Sequence, residues 1–102
     1  MIHVIATIEL HEGRREAFLD EFRKVVPPVL TEAGCIEYGP TVDVATGLAA
    51  QLPLRPNVVT VVEKWESLAH LEQHLVAPHM DEYRYRVKDM VVKTTLVILE
   101  PA

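Results

Sequence analysis

The sequence is poor in cysteine and has no long apolar segment. Its 102 residues include one cysteine, Cys35, which has no second cysteine to pair with inside the chain. A chain without internal disulfides fits a reducing compartment, so we expect a cytoplasmic protein. No apolar run approaches the roughly 20 residues that a membrane-spanning helix needs, and the first residues lack the basic and apolar segments of a signal peptide. The sequence therefore predicts no membrane partner.

Positive charge is scarce as well. Ten lysines and arginines stand against fifteen aspartates and glutamates, which gives a formal net charge of −5. Because nucleic-acid-binding domains need a basic surface to neutralise phosphates, this composition argues against a nucleic-acid partner. Hydrophobic residues make up 49% of the chain and no segment has low complexity, so we expect one globular domain over residues 1–102.

Four segments have the alternation or the β-branched composition of strands. They are residues 2–10, 35–44, 58–65 and 93–99. The connection between the second and third strands, 45–57, contains one glycine and two prolines and has no clean period. Connections of this length are uncommon in compact domains, and they are often functional or packed against a partner subunit.

The first predicted helix lies between the first two strands. Residues 14–33 carry an apolar stripe with helical spacing. Pro27 and Pro28 are expected to kink or break this helix, because proline has no amide donor and crowds the preceding turn. Gly34 is expected to end it in a left-handed conformation.

Two more helices are predicted between the third and fourth strands. Ser67 is placed to cap a helix over 68–75, and Pro78 to open a further helix that runs to about Val91. With these helices forming one layer, the order is β-α-β-β-α-β. This is the ferredoxin-like α+β arrangement, an antiparallel sheet with its helices on one face.

The third strand predicts a partner subunit. Its valines stand at positions 58, 59, 61 and 62, so both of its faces are apolar, and Ile5 adds an apolar side chain opposite the main row of the first strand. Because the helices can cover only one face of the sheet, the other face needs a cover. We therefore predict a homodimer in which two copies pack sheet against sheet.

Three histidines, His70, His74 and His79, follow the only tryptophan, Trp65, within a short stretch. Histidines four residues apart on a helix can hold zinc. The motif that makes such a pair specific has a glutamate directly after the first histidine, and here that residue is Leu71. No cysteine or carboxylate cluster stands at metal-ligand spacing elsewhere, so we expect no metal site.

The favoured interpretation is an acid–base site for an aromatic substrate. Histidine titrates near neutral pH, so His74 or His79 could take a proton from a phenol. Trp65, Tyr38 and Tyr83 are candidate walls of a cavity between the sheet and the helices, where small ligands commonly bind. The alternative is structural, with the tryptophan and the tyrosines as core fillers.

Glu63 shares one face of the third strand with Trp65. It is either a buried carboxylate or a charge on the dimer face. In the buried case it needs a polar partner, and its pKa should be raised. We count it among the candidate substrate-binding residues, while His70 is expected to face solvent.

Two runs carry a family resemblance: VVPPVLTEAGCIEYGPTVD (25–43) and VEKWESLAHLEQHLVAPHMDEY (62–83). They resemble the antibiotic biosynthesis monooxygenase family, and within it the bacterial quinol monooxygenases that oxidise menadiol-type naphthoquinols. The likeness covers nearly the whole chain, including the closing ILEP. It implies a dimeric α/β barrel with a pocket in each protomer. It also implies oxidation of polycyclic phenols by dioxygen without metal, haem or flavin, so no cofactor is expected.

This resemblance implies that the substrate supplies its own electrons. A quinol that has lost a proton is electron-rich enough to reduce dioxygen, and the protein provides a base, orientation and exclusion of water. His74 and His79 would be the bases. The anthrone-oxidising and haem-degrading branches of the family each place an asparagine where this chain has Val61 or Thr7, which disfavours those two reactions.

Other functions stay open on the same scaffold. One is a non-catalytic protein that binds a quinone or another hydrophobic metabolite, since one fold hosts many activities. The others are a haem-binding or haem-degrading relative and an isomerase of small lactones or sugars.

Overall fold

The chain forms a four-stranded sheet and three helices. The computed structural model describes all 102 residues. The strands are β1 (Ile2–Leu10), β2 (Cys35–Thr41), β3 (Val58–Trp65) and β4 (Val91–Leu99), and the helices are α1 (Arg15–Leu30), α2 (Leu68–Leu75) and α3 (Pro78–Val87). None of these helices combines the length and the apolarity required to cross a bilayer.

The sheet has the order β2-β3-β1-β4, and every neighbouring pair is antiparallel. The two central strands, β1 and β3, are adjacent in space although helix α1 and strand β2 separate them in sequence. This interleaving is typical of the ferredoxin-like arrangement. The predicted α+β class with an antiparallel sheet is confirmed.

The two faces of the sheet differ in their cover. On one face Val4, Ala6 and Val61 belong to the hydrophobic core that the helices complete. On the other face Ile5 pairs with Val62 on one side and with Val97 on the other, which makes an apolar row across three strands. No helix of this chain covers that row, and Val97 is 52% exposed.

Helix α1 corrects one prediction. A kink or a break was expected at Pro27 and Pro28, and the break does not occur: the helix continues through both prolines to Leu30. The two prolines leave the carbonyls of Arg23 and Lys24, four residues earlier, without helical donors. Arg23 and Lys24 are exposed residues, so water can serve these carbonyls instead.

The turn after α1 brings two distant segments together. Gly34 has φ +79°, as expected for a left-handed glycine, but it follows the end of α1 by several residues instead of capping it directly. A Cβ at Gly34 would overlap the ring of His70. The carbonyl of Gly34 also accepts a 2.9 Å hydrogen bond from the amide of Glu66. The turn before β2 is thereby fixed against the start of α2.

Helices α2 and α3 begin where the sequence indicates. The Ser67 hydroxyl accepts a hydrogen bond from the amide of His70, which caps α2, and Pro78 stands in the first turn of α3. Helix α3 ends at Val87, earlier than predicted, because the chain turns there and Val91 already pairs with Leu10 in the sheet.

The connection 42–57 lies outside the sheet. Strand β2 ends at Thr41, so this connection begins three residues earlier than predicted. The Arg55 guanidinium donates two hydrogen bonds, of 2.8 and 2.9 Å, to the Asp43 carboxylate, and this contact joins the two ends of the connection. Between them Leu48 and Leu52 are exposed to solvent.

Candidate active site

A cavity of about 510 Å³ opens between the sheet and helix α3. Sixteen residues line it and eleven of them are hydrophobic. Its volume lies within the range of about 300–1,000 Å³ that is usual for small-molecule sites. The cavity extends along β4 because the helices bury the facing residues of β1 and β3 but not those of β4. Leu96, on the helix side of β4, lines the cavity and is 42% exposed.

Three aromatic rings from three different elements form one side of the cavity. Phe22 of α1 stacks on Tyr38 of β2 with ring centroids 5.5 Å apart, and the Tyr83 ring of α3 meets Phe22 edge-on, also at 5.5 Å. Burial raises the pKa of both tyrosines above the ordinary phenol value. Both phenols therefore stay protonated at neutral pH and can donate hydrogen bonds to a ligand.

Glu63 is a buried carboxyl group on the cavity wall. Its Oε1 accepts a 2.9 Å hydrogen bond from the indole Nε1 of Trp65. Burial raises the pKa of Glu63 to about 7, although the Trp65 hydrogen bond acts in the opposite direction. Of the two alternatives for Glu63, a buried carboxylate with a polar partner or a charge on the dimer face, the structure shows the first. The Glu63 carboxyl changes protonation near neutral pH.

His74 is the second titratable group on the wall. Its ring packs against Trp65 at 4.6 Å and against Tyr38 at 5.2 Å, and it is 2% exposed. Burial lowers the pKa of His74, while a hydrogen bond with Glu32 partly offsets this effect. The imidazole is therefore neutral at neutral pH and able to accept a proton. Nδ1 makes the Glu32 hydrogen bond, which leaves Nε2 without a protein partner.

Glu32 joins His74 to His79. The same carboxylate oxygen, Oε2, lies 2.9 Å from His74 Nδ1 and 2.7 Å from His79 Nε2. Sequence analysis missed Glu32, because it lies 42 residues before His74 and no spacing motif links the two. The only sequence signal near Glu32 was the turn predicted at Gly34, two residues later, and a turn does not predict a contact with His74.

Glu32, His74 and His79 are also the residue types that can hold a metal ion. Their donor atoms lie within 4.8 Å of one another. Zinc–nitrogen and zinc–oxygen bonds are about 2.0–2.2 Å long and tetrahedrally arranged, which would hold such donor atoms more than 3 Å apart. The two nitrogen–oxygen distances are shorter than that and match ordinary hydrogen bonds.

The structure places the six predicted site residues in three locations. Four of them line the cavity: Tyr38, Glu63, His74 and Tyr83. The other two do not line it. Trp65 is fully buried behind Glu63 and His74, and His79 contacts Glu32 and lines a separate surface groove of about 390 Å³.

His70 has a local structural role. Its ring is half-buried where solvent exposure was expected, and its Nδ1 lies 2.7 Å from the Ser67 hydroxyl. It also packs against Gly34. His70 is absent from the cavity wall.

A small α+β domain with an apolar cavity and two buried titratable groups on its wall is a ligand-binding or catalytic domain for a small organic molecule. Residues 1–86 match the antibiotic biosynthesis monooxygenase family. The chain is 46% identical, over 103 aligned residues, to the probable quinol monooxygenase YgiN of Escherichia coli K12, with 99% of this chain and 98% of that protein covered. The protein belongs to the antibiotic biosynthesis monooxygenase family.

Solved structures agree on the fold. The protein PA3566 from Pseudomonas aeruginosa superposes with a TM-score of 0.81 at 25% identity, covering 99% of this chain and 93% of that one. A conserved protein from Methanosarcina mazei Go1 gives a TM-score of 0.82 at 22% identity, with 99% and 92% covered. Both proteins therefore share the overall fold of this chain.

Proposed function

We propose that the protein is a quinol monooxygenase or oxidase that acts on naphthoquinol-like polycyclic phenols with dioxygen. The observation that carries this proposal is a neutral imidazole, His74, on the wall of a largely apolar cavity. The full-length likeness to a probable quinol monooxygenase supports the same substrate class. We further propose that the reaction needs no metal, haem or flavin.

His74 is the proposed base. A quinol hydroxyl placed against Nε2 would transfer its proton there, and Glu32 at Nδ1 would stabilise the resulting imidazolium. A general base must be unprotonated at the pH at which the enzyme works, and an imidazole that is neutral before the transfer satisfies this condition. Glu63 and the Tyr38 phenol would hydrogen bond the substrate oxygens and orient the ring system.

The deprotonated quinol then carries the redox chemistry. It can pass electrons to dioxygen, and two outcomes balance. Either one oxygen atom is added to a ring carbon and the other leaves as water, or the quinol is oxidised to the quinone and dioxygen is reduced to hydrogen peroxide. The protein's contribution is orientation and the exclusion of bulk water from the anionic intermediate. The apolar aromatic side formed by Phe22, Tyr38 and Tyr83 suits a flat ring system.

The decisive experiment follows oxygen uptake with chemically reduced menadione under conditions where autoxidation is slow. The proposal expects catalysed uptake that is undiminished by chelators, from protein with no visible chromophore and no stoichiometric metal. A peroxide assay separates the oxidase from the monooxygenase. Quinone binding without any oxygen uptake above autoxidation would replace this function with a binding protein on the same cavity.

We also propose that the protein works as a homodimer that packs sheet against sheet. The apolar row Val62, Ile5 and Val97 crosses the face that no helix covers. The 42–57 connection exposes Leu48 and Leu52 beyond the edge strand β2. A second copy would remove both apolar surfaces from water.

The dimer is tested by light scattering on the native protein and on Val97→Asp. The native protein is expected at twice the mass of the chain, and the variant should shift towards the monomer because a charge would be buried in the apolar row. Val76→Asp is the control, since Val76 is an exposed valine at the end of α2 in the helix layer. A native monomer would contradict the proposal.

A further inference from the structure

One oxygen of Glu32 is shared by two imidazole rings. Oε2 lies 2.9 Å from His74 Nδ1 and 2.7 Å from His79 Nε2, and the two histidines come from different helices. The Glu32 side chain is 14% exposed and the His79 side chain 29%, whereas His74 is buried. The three groups form a chain of contacts from the cavity wall to the surface.

The sharing of this oxygen fixes which nitrogens carry protons. A carboxylate oxygen only accepts hydrogen bonds, so each ring nitrogen that contacts it must be a donor. His74 is therefore held as the Nδ1–H tautomer when it is neutral. Its Nε2 then presents a lone pair, and it is the nitrogen without a protein partner.

We propose that Glu32 is a positioning residue that sets the tautomer of His74, and that His79 holds the Glu32 oxygen in place. This inference rests on the proposed function, because the tautomer matters for turnover only if His74 accepts the substrate proton. In that step the O–H bond of the quinol breaks and the Nε2–H bond of His74 forms. The Nδ1–H stays on His74, donating to Glu32, so the imidazolium charge lies beside a carboxylate.

His79 contributes a second donor to the same oxygen. Its contact restricts the rotation of the Glu32 carboxylate and keeps Oε2 directed at Nδ1 of His74. Nothing places His79 on the cavity wall, where it would meet the substrate directly. Its loss should therefore weaken the positioning of His74 without removing the proton acceptor.

The test combines nitrogen-15 NMR of the histidine rings with steady-state kinetics on menadiol. In the native protein, His74 is expected as the Nδ1–H tautomer. Glu32→Leu keeps the approximate size of the side chain but removes the acceptor, so the Nε2–H tautomer should appear and kcat should fall at least about tenfold. KM should change less than about threefold, because Glu32 does not line the cavity.

Two further variants grade the effect. Glu32→Gln retains an oxygen acceptor but loses the charge, so it should keep much of the tautomer and give an intermediate kcat. His79→Gln should broaden the His74 signals or mix the tautomers, and it should lower kcat less than Glu32→Leu does. Glu72→Leu is the matched control, because Glu72 is an exposed glutamate on α2, and neither readout should change.

The outcomes separate this inference from the proposed function. If Glu32→Leu and His79→Gln fold and both keep the native His74 tautomer and the native kcat, the positioning role is overturned. If the native protein does not turn over any quinol, the proposed function fails, and the tautomer of His74 in the variants alone decides the role of Glu32. A zinc titration is run in parallel. Tight one-to-one zinc binding that is lost in Glu32→Leu would replace the positioning role by a metal site.

Discussion

Trp65 donates its indole N–H to Oε1 of Glu63 across 2.9 Å, and both side chains are buried. The two residues are two positions apart on β3 and therefore lie on the same face of the strand, so the strand itself brings them together. This hydrogen bond stabilises the charged carboxylate, whereas burial favours the neutral acid, and burial has the larger effect. The cavity therefore contains an acid that titrates near pH 7.

The first prediction concerns the stability of Glu63→Gln. In the unfolded chain Glu63 loses its proton near its usual pKa of 4.5, while in the folded protein it keeps the proton up to about pH 7. The folded state therefore binds more protons across this window, and the free energy of unfolding of the native protein must fall as pH rises from about 4.5 to about 7. The glutamine cannot ionise and avoids this loss.

The raised pKa corresponds to about 3 kcal/mol of lost stability at alkaline pH. The stability of Glu63→Gln relative to the native protein should therefore increase by up to that amount between pH 5 and pH 8. Urea unfolding at both pH values measures it. Glu37→Gln, an exposed glutamate on β2, is the control, and a pH-independent difference for Glu63→Gln would contradict the prediction.

The second prediction concerns Trp65→Ala. Trp65 is fully buried and supports both Glu63 and His74 from behind the cavity wall. Truncating a buried aromatic typically costs about 3–5 kcal/mol, so we expect a loss of that size in chemical denaturation. Trp65→Phe should lose much less stability but raise the pKa of Glu63 further, because the N–H donor is gone. A change in ligand affinity without a change in stability would place Trp65 in the binding surface instead.

The third prediction concerns the proton acceptor. His74→Ala should lower kcat with menadiol well over tenfold, because the proposed proton acceptor is lost. His11→Ala is the control, since His11 is exposed and makes no side-chain hydrogen bond in the structure. Glu63→Gln should raise KM more than it lowers kcat. Near-native kcat in His74→Ala together with a large loss in Glu63→Gln would assign the base to Glu63.

The fourth prediction separates two costs at glycine. Gly34 and Gly13 both have φ near +80°, but only at Gly34 would an added Cβ meet another side chain, the ring of His70. Gly13→Ala should cost about 1–2 kcal/mol for the left-handed backbone alone. Gly34→Ala should cost clearly more, since it must also displace His70 and the α2 cap. Equal losses in thermal unfolding would show that the ring moves aside freely.

Much of the fold follows from patterns within single elements. The alternation in β1 and the Ser67 cap of α2 predict those elements correctly, since each depends on neighbours two to four residues away. The two prolines of α1 show the limit of such reasoning. Proline lowers the intrinsic stability of a helix, but the burial of Val25 and Val29 against the core keeps α1 intact.

The candidate site divides in the same way. The sequence by itself determined the family, the position of Glu63 and Trp65 on one face of β3, and the presence of His74 on an amphipathic helix. Only the tertiary structure decided that Trp65 lies behind the cavity wall, that His79 lies in a separate surface groove, and that Glu32 contacts both histidines. Local spacing sets which face of an element a residue occupies. The position of that face relative to a cavity depends on how elements distant in sequence pack together, and the spacing of neighbouring residues does not determine that packing.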